Sequence, residues 1–482
     1  MSEQTRSILK NATSYMVSSV IEGILGFVIT LIIARYLYDV GLGQYSFAFS
    51  FVMVFAIFAD VGLEALMVRE IARKKSRTQR YLNAVLTLKI VLGIVFIIIV
   101  PLLIFFMTKK DVALLPVVCL ASLALFFDRL RYVFNAVFVA HERVELSLFV
   151  GVIERTTALI LVFILIRLWG LLGVGLALMC SYFVSYLVSS YLTKKNFVSY
   201  SFTIDIPFWK KLLRHSWPFW FSSLFMIIYY KTDTLMLSYL RGYDEVGWYN
   251  AAYTLVFALT FIPSAVITAV YPVMSKYYTN SSLTLSSSKL LKDLFHNCFR
   301  YLVLLAVPII GGTLFLAQRI IPFIYNEQFQ QSILVLQILV LTTFFLFVNY
   351  LIGYLFNAIH KQTYFTTTTG ICALFNVVLN FFLIPQWGAY GAATATVITE
   401  TINFIMLSSF CRQWHYAVNL FKLLWKPLIA VSGMLMAGYA LFSLPLLVLI
   451  CIEAVVYFVL LILLKEVGQK EWLLIKVLFK IK

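Results

Sequence analysis

The sequence predicts an all-α polytopic membrane protein of about fourteen transmembrane helices, built as two pseudo-twofold-related six-helix lobes plus two C-terminal helices. Three observations predict it. The 482-residue chain is 62% hydrophobic and 12% charged, with a mean hydropathy of +0.94, too little polar surface to cover a soluble globule. Its apolar residues fall into runs long enough, at about 1.5 Å per residue, to cross roughly 30 Å of hydrocarbon. Two sequence patterns also recur in the same order, as a duplicated helical unit requires.

In chain order the runs cover about 11–37, 45–67, 81–106, 112–140, 146–168, 171–192, 217–240, 248–271, 299–320, 332–358, 364–384, 389–410, 427–442 and 444–464. The first recurrence pairs IIARYLYDVGLGQYSFAFSF (Ile32 to Phe51) with LMLSYLRGYDEVGWYNAAYTL: a helix ending in Tyr36-Leu37 or Tyr239-Leu240, a polar turn with Gly43 or Gly247, then Tyr45 or Tyr249. The second pairs Trp169-Gly170…Gly173 with Trp387-Gly388…Gly391. An even number of spans per copy keeps both in the same orientation, so their pseudo-twofold axis runs along the membrane normal. The expected organisation is an N-terminal lobe over 1–192, a cytoplasmic linker over 193–216, a second lobe over 217–410, two additional helices over 411–464 and a basic amphipathic cytoplasmic tail over 465–482.

A net charge of +17 would suggest nucleic acid in a soluble chain, but its distribution argues otherwise. About 27 of the 38 Lys and Arg fall in the even-numbered connections and the tails, against about 5 in the alternate loops. This is the positive-inside bias, and it places both termini in the cytoplasm. No connection is long enough for a soluble domain, and the stretch from Ser281 to Ser288 reads as a linker. The six cysteines fall in or at the ends of apolar runs, outside any CxxC or Cys/His cluster, so neither a metal nor a disulfide framework is signalled. No cofactor motif and no catalytic constellation is present.

The intramembrane charges carry the functional information. In the first half these are Glu22, Arg35, Asp60, Glu64, Lys89, Asp128, Arg129, Arg131, Glu154 and Arg155; later come Lys231, Asp233, Glu400 and Glu453. Each costs about 2.5–3.5 kcal/mol in lipid, so they must be paired or line a wet space. Asp128 and Arg131, three apart, share a helix face, which leaves Arg129 pointing elsewhere; Glu154 and Arg155 diverge by about 100°. Lys231 and Asp233 project about 200° apart and need partners elsewhere. Arg35, Arg129, Arg131, Arg155 and Lys231 are the candidate anion-binding cations, Arg because its fork grips phosphate in a bidentate way. Asp60, Asp128, Glu154, Asp233 and Glu400 are the ion-coupling candidates. Asn349, Asn357, Asn376, Asn380 and Asn403 read chiefly as amides that cross-link helices.

Together, the two six-helix halves with two extra helices, the segment leading into Lys231 and Asp233, the run Val246-Gly247-Trp248-Tyr249-Asn250-Ala251-Ala252 and the basic HERVE segment from His141 to Glu145 resemble polysaccharide or O-antigen-type flippases. These belong to the multidrug/oligosaccharidyl-lipid/polysaccharide exporter superfamily. The resemblance implies translocation of a polyprenyl-(di)phosphate-linked oligosaccharide from the cytoplasmic to the outer leaflet by alternating access, for cell-surface polysaccharide biosynthesis. It further implies the plasma (inner) membrane of a bacterium or archaeon, H+ or Na+ as coupling ion, contacts with membrane lipid and with polysaccharide-assembly membrane proteins, and no nucleic acid. An ion-coupled multidrug or metabolite antiporter of the same superfamily would share the architecture while relying on acids such as Asp60, Asp233 or Glu400. A membrane glycan polymerase or ligase would need a substantial outer loop, which this chain lacks.

The topology is checked with reporters active only outside the cytoplasm. Fusions after Lys110 and Glu245 are expected to be active and those after Lys75 and Lys211 silent; activity after Lys75 would overturn the orientation.

Overall fold

The computed structural model describes residues 3–107, 112–281 and 285–466. Among them there is no strand, and the helices run α1 (Glu3–Asp60), α2 (Leu63–Arg73), α3 (Thr78–Met107), α4 (Leu115–Ala140), α5 (Val144–Asn196), α6 (Ile206–Leu240), α7 (Tyr243–Ala258), α8 (Phe261–Ser281), α9 (Leu285–Ile324), α10 (Ser332–Leu339), α11 (Thr342–Ala358), α12 (Gln362–Gln413), α13 (Leu420–Ala440) and α14 (Leu446–Leu463). Of the expected basic tail, residues 467–482 lie outside the described residues, as do 282–284 of the expected Ser-rich linker; the rest of that linker, from Leu285, begins α9.

Three helices are far too long for one crossing: 53 residues in α5, 52 in α12 and 58 in α1, against the roughly 20 that span a bilayer. Each folds back at one residue with positive φ: Tyr38 (60°), Gly170 (53°) and Gly388 (54°). Each therefore supplies two crossings. The pairs α7 with α8 and α10 with α11 are single crossings interrupted by a tight turn. With α4 and α6, also long enough to span, the described residues make fourteen crossings, as the hydropathy predicts.

The repeats seen in the sequence have matching geometry. Gly170 and Gly388 share the same backbone conformation, ψ being −127° and −130°, a region open essentially to glycine alone. Three residues on, a Cβ at Gly173 would strike the Leu165 carbonyl, and a Cβ at Gly391 the equivalent Leu383 carbonyl. The Gly43 and Gly247 turns meet each other. A Cβ at Gly43 would strike the Tyr243 carbonyl, and one at Gly247 the Asp39 carbonyl. The contact is reciprocal between equivalent residues, as across a twofold axis.

The chain divides into two compact units, Met1–Thr254 with Thr369–Ala395, and Leu255–Thr368 with Thr396–Lys482. In the first, one core packs Leu63, Met67, Leu82, Phe134, Phe138 and Leu212, and a second packs Phe47, Val52, Val118 and Ala121. Asp205 caps α6 by accepting the Phe208 N–H at 3.0 Å, and Trp220 in the same helix donates its indole N–H to the Ile57 carbonyl at 3.1 Å. That contact lies beside the break at Gly62, where any Cβ would strike the α6 backbone. The second unit is built round Phe295, Phe299, Phe347, Leu351, Leu407 and Tyr457. Outward faces carry exposed Ile98, Leu168, Phe381 and Met436 while Lys89, Asp128, Arg131 and Glu154 are buried, the distribution that hydrocarbon solvent selects.

The two corner glycines differ in surroundings. A Cβ at Gly170 meets only Leu37 at 3.8 Å, whereas one at Gly388 overlaps the Glu245 carboxylate. Alanine at either position costs about 1–2 kcal/mol of backbone strain. Gly388→Ala is expected to lower the thermal midpoint in detergent more than Gly170→Ala, since it also displaces Glu245 from the Ala389 N–H, now held at 2.6 Å. Equal midpoints would refute this account.

Candidate functional site

The intramembrane cations of the first unit sort into those bonded directly to carboxylates and those that are not. Lys89, on α3, is the most completely compensated. Its Nζ lies 2.5 Å from Asp60 and 2.7 Å from Glu64, and it donates to the Arg129 carbonyl at 3.3 Å, with the side chain 1% exposed. The turn at Val61–Gly62 is what brings the last residue of α1 and the first turn of α2 to one ammonium.

Arg131 is likewise compensated. It reaches Asp128 at 2.8 Å, one helical turn back, and Glu154 on α5 at 3.1 Å, and it stacks on the Tyr132 ring at 4.3 Å. Its charge is spent on two carboxylates inside the protein. The adjacent Arg155 is only 3.9 Å from the outer side of that same Glu154 and keeps 36% of its side chain exposed. Its guanidinium passes Gly26, where a Cβ would lie 3.9 Å from Nη1, and Glu22 packs where a Cβ at Gly151 would stand.

Arg129 and Lys231 differ from these. Among the described residues neither makes a hydrogen bond or an ion pair through its side chain, and the Arg129 Nε is buried without a partner. Arg129 lies 5.8 Å from the Tyr132 ring centroid and within the field of the Asp128, Asp60 and Glu64 carboxylates, though it bonds none of them directly. Lys231 is half-buried on α6. Arg35 is exposed on α1.

Asp233, two residues from Lys231, is held by other groups. It accepts the Tyr249 hydroxyl at 2.6 Å and the Asn380 amide at 2.5 Å; Asn380 also donates to Asn376 at 2.9 Å. Beside it Asn250 donates to the Thr234 hydroxyl at 3.2 Å. The result is a buried oxygen-rich knot joining α6, α7 and the first limb of α12. Glu400 belongs to the second unit, where it accepts the Asn349 amide at 3.0 Å. Sequence reasoning missed Tyr249 and Asn380 as partners of Asp233. The signal available for Tyr249 was its equivalence to Tyr45 in the first repeat.

Outside the spans, His141 of the HERVE segment contacts the Thr78 hydroxyl at 2.9 Å. Burial, aided by the Lys75 charge, lowers its pKa from the ordinary imidazole value. Among the described residues no group of three or more His, Cys, Asp or Glu is placed to hold a metal.

Residues 8–278 match the family described as polysaccharide biosynthesis protein, more than half of the chain. The chain belongs to this family. A second family, MatE, matches residues 218–382, and both lie in the multidrug/oligosaccharidyl-lipid/polysaccharide exporter superfamily. The family member described here is 24% identical over 222 residues to the probable low-salt glycan biosynthesis flippase Agl15 of Haloferax volcanii, a match that spans 45% of this chain and only 44% of that relative. It is 21% identical over 415 residues to the capsular polysaccharide biosynthesis protein CapF of Staphylococcus aureus, covering 84% of this chain and all of that one. In fold it is similar to the lipid II flippase MurJ in an inward closed conformation, with a TM-score of 0.80 at 16% identity over 93% of this chain and 98% of that one. It is also similar to an inward-facing multidrug resistance MATE family transporter, with a TM-score of 0.65 at 15% identity over 82% and 94% of the two chains.

Removing Lys89 strands the buried Asp60 carboxylate and the half-buried Glu64 carboxylate, a loss of about 3–5 kcal/mol. Lys89→Ala is expected to abolish monodisperse protein on size exclusion, while Lys231→Ala, which strands no partner, is expected to leave the folded yield unchanged. Equal yields for the two variants would refute the distinction.

Proposed function

We propose that this protein is a flippase that carries a polyprenyl-(di)phosphate-linked oligosaccharide from the cytoplasmic to the outer leaflet by alternating access, in cell-surface polysaccharide biosynthesis. The observation that carries this reading is the contrast among the intramembrane cations: Lys89 and Arg131 pair closely with carboxylates, whereas Arg129 and Lys231 make no side-chain hydrogen bond or ion pair among the described residues and Arg155, 3.9 Å from Glu154, stays 36% exposed. A diphosphate is an anion that Arg binds through two parallel hydrogen bonds. The names of the archaeal and staphylococcal relatives and of the MurJ structure support a lipid-linked glycan as cargo. No catalytic chemistry is needed for this role, and the protein acts as a transporter.

In this reading the lobes are 1–192 and 217–410, joined by the linker 193–216, with 411–464 as accessory helices and 465–482 as a cytoplasmic tail. Both ends face the cytoplasm of a bacterial or archaeal cell, a placement that the charge asymmetry supports. The lipid tail stays in the bilayer while the cations hold the diphosphate and polar groups accommodate the sugars. Asp233, and after it Asp60, Asp128, Glu154 and Glu400, are the carboxylates available to a coupling ion.

Reconstituted vesicles with a fluorescent lipid-linked sugar test this. Each of Arg129→Ala and Arg155→Ala is expected to weaken substrate capture by roughly 10- to 150-fold, the equivalent of losing a charge-assisted hydrogen bond of about 1.5–3 kcal/mol, with Lys restoring it only in part. Asp233→Asn is expected to fold and to lose dependence on the ion gradient. Unimpaired flipping by both Ala variants would overturn the assignment. The similarity to MATE transporters favours one second reading, an ion-coupled antiporter; drug efflux without lipid flipping in the same vesicles would select it.

A further inference from the structure

One intramembrane carboxyl takes no part in either reading. Glu453 is the only charged residue of α14, whose other residues are apolar or aromatic (LLVLICIEAVVYFVLLIL), and it sits near the middle of that helix. It is 3% exposed. Among the described residues it makes no hydrogen bond and no ion pair, and its Oε1 is buried without a partner.

The pocket around it is made by glycines. A Cβ at Gly438 on α13 would stand where Oε1 lies, also touching Phe315 of α9 at 3.2 Å, and a Cβ at Gly312 on α9 would lie 3.5 Å from Oε2. Met434 of α13 closes the same space, 3.8 Å from the Gly312 position. No titratable group faces the carboxyl from α9 or α13 through these contacts. Of the charges those helices carry, Arg319 bonds the Phe442 and Leu444 carbonyls and Arg300 and Lys426 pair with Glu466, while Lys289, Lys292, Asp293, His296 and Lys422 lie in the first turns of α9 and α13 or soon after them, well before Gly312 and Met434 in sequence. On α14 itself, Tyr457 turns its hydroxyl to the Leu304 carbonyl at 2.9 Å.

A carboxylate in such a place would be an uncompensated charge in hydrocarbon, whereas the neutral acid needs no counter-ion. We propose that Glu453 is a proton-binding site of the last helix pair, occupied in this packing and emptied only when α14 moves off the glycines of α9 and α13 so that water or a cation reaches the carboxyl. Proton release and separation of α14 from its neighbours are then one event. The inference is independent of the transported substrate.

Dicyclohexylcarbodiimide tests it on the full-length protein in lipid vesicles, without a transport assay. The reagent adds a protonated, apolar-embedded carboxyl across one C=N bond and rearranges to a stable N-acylurea with no leaving group, so the adduct is read by peptide mass. Labelling at Glu453 is expected at about pH 5.5, to fall about tenfold per pH unit once its titration is passed on the way to about pH 9, and to vanish in Glu453→Gln. Glu453→Gln keeps volume and neutrality and is expected to accumulate as wild type, whereas Glu453→Lys, whose charge has no partner, is expected to fail. No adduct at Glu453 in folded protein, labelling that does not change with pH, or loss of folded protein in Glu453→Gln would each overturn the proposal.

Discussion

A charge in hydrocarbon costs a few kcal/mol unless something answers it, and the internal arrangement of the first unit follows from that constraint. Lys89 draws the end of α1 and the start of α2 to one point, and Arg131 ties α4 to α5 through Glu154. The break at Gly62 and the room beside Gly151 exist so that carboxylates can reach these partners or pack near them. Buried ion pairs of this kind contribute little net stability over an apolar core, but they are strongly specific: losing one member leaves the others stranded. Arg129 and Lys231, with no direct side-chain bond among the described residues, stand out against that background.

Backbone geometry is governed by a different economy of space. Where two crossings are continuous in sequence, the chain turns at a single residue with positive φ instead of through a loop. At Gly170 and Gly388 this is a conformation that a side chain strains. Glu245 and Arg241 complete the second corner by bonding its backbone: Glu245 accepts from Ala389, and Arg241 donates to the carbonyls of Ile384 and Gln386.

The fold was legible because hydropathy is a local property, readable in windows of twenty residues. The WG echo at Trp169 and Trp387 was legible too, though not its left-handed geometry, since that depends on what the turn must clear. Charges were harder. The Asp128–Arg131 contact follows from i,i+3 spacing, but Glu154, which makes that Arg structural, lies on another helix. Asn380 is 147 residues from the Asp233 it bonds. The i,i+3 spacing to Asp128 sets Arg131 apart from Arg129 in the sequence, but only the structure shows Glu154 as the second partner of Arg131 and Arg129 without a direct side-chain bond among the described residues. Partnership across helices is a tertiary property, and one sequence does not encode it in any short pattern.

The reciprocal meeting of the turns at Gly43 and Gly247 restricts how the two halves can diverge. Each glycine is blocked by main chain of the opposite copy, the Tyr243 carbonyl in one case and the Asp39 carbonyl in the other. A main-chain carbonyl has no smaller substitute, so a bulkier residue at one glycine has no compensating change at the other. Away from this seam and the matched corners at Gly170 and Gly388, the halves differ, as their uneven share of intramembrane charged residues shows. At this seam they behave as the two subunits of a symmetric dimer joined in one chain, where every exchange is felt on both sides and selection acts on the pair.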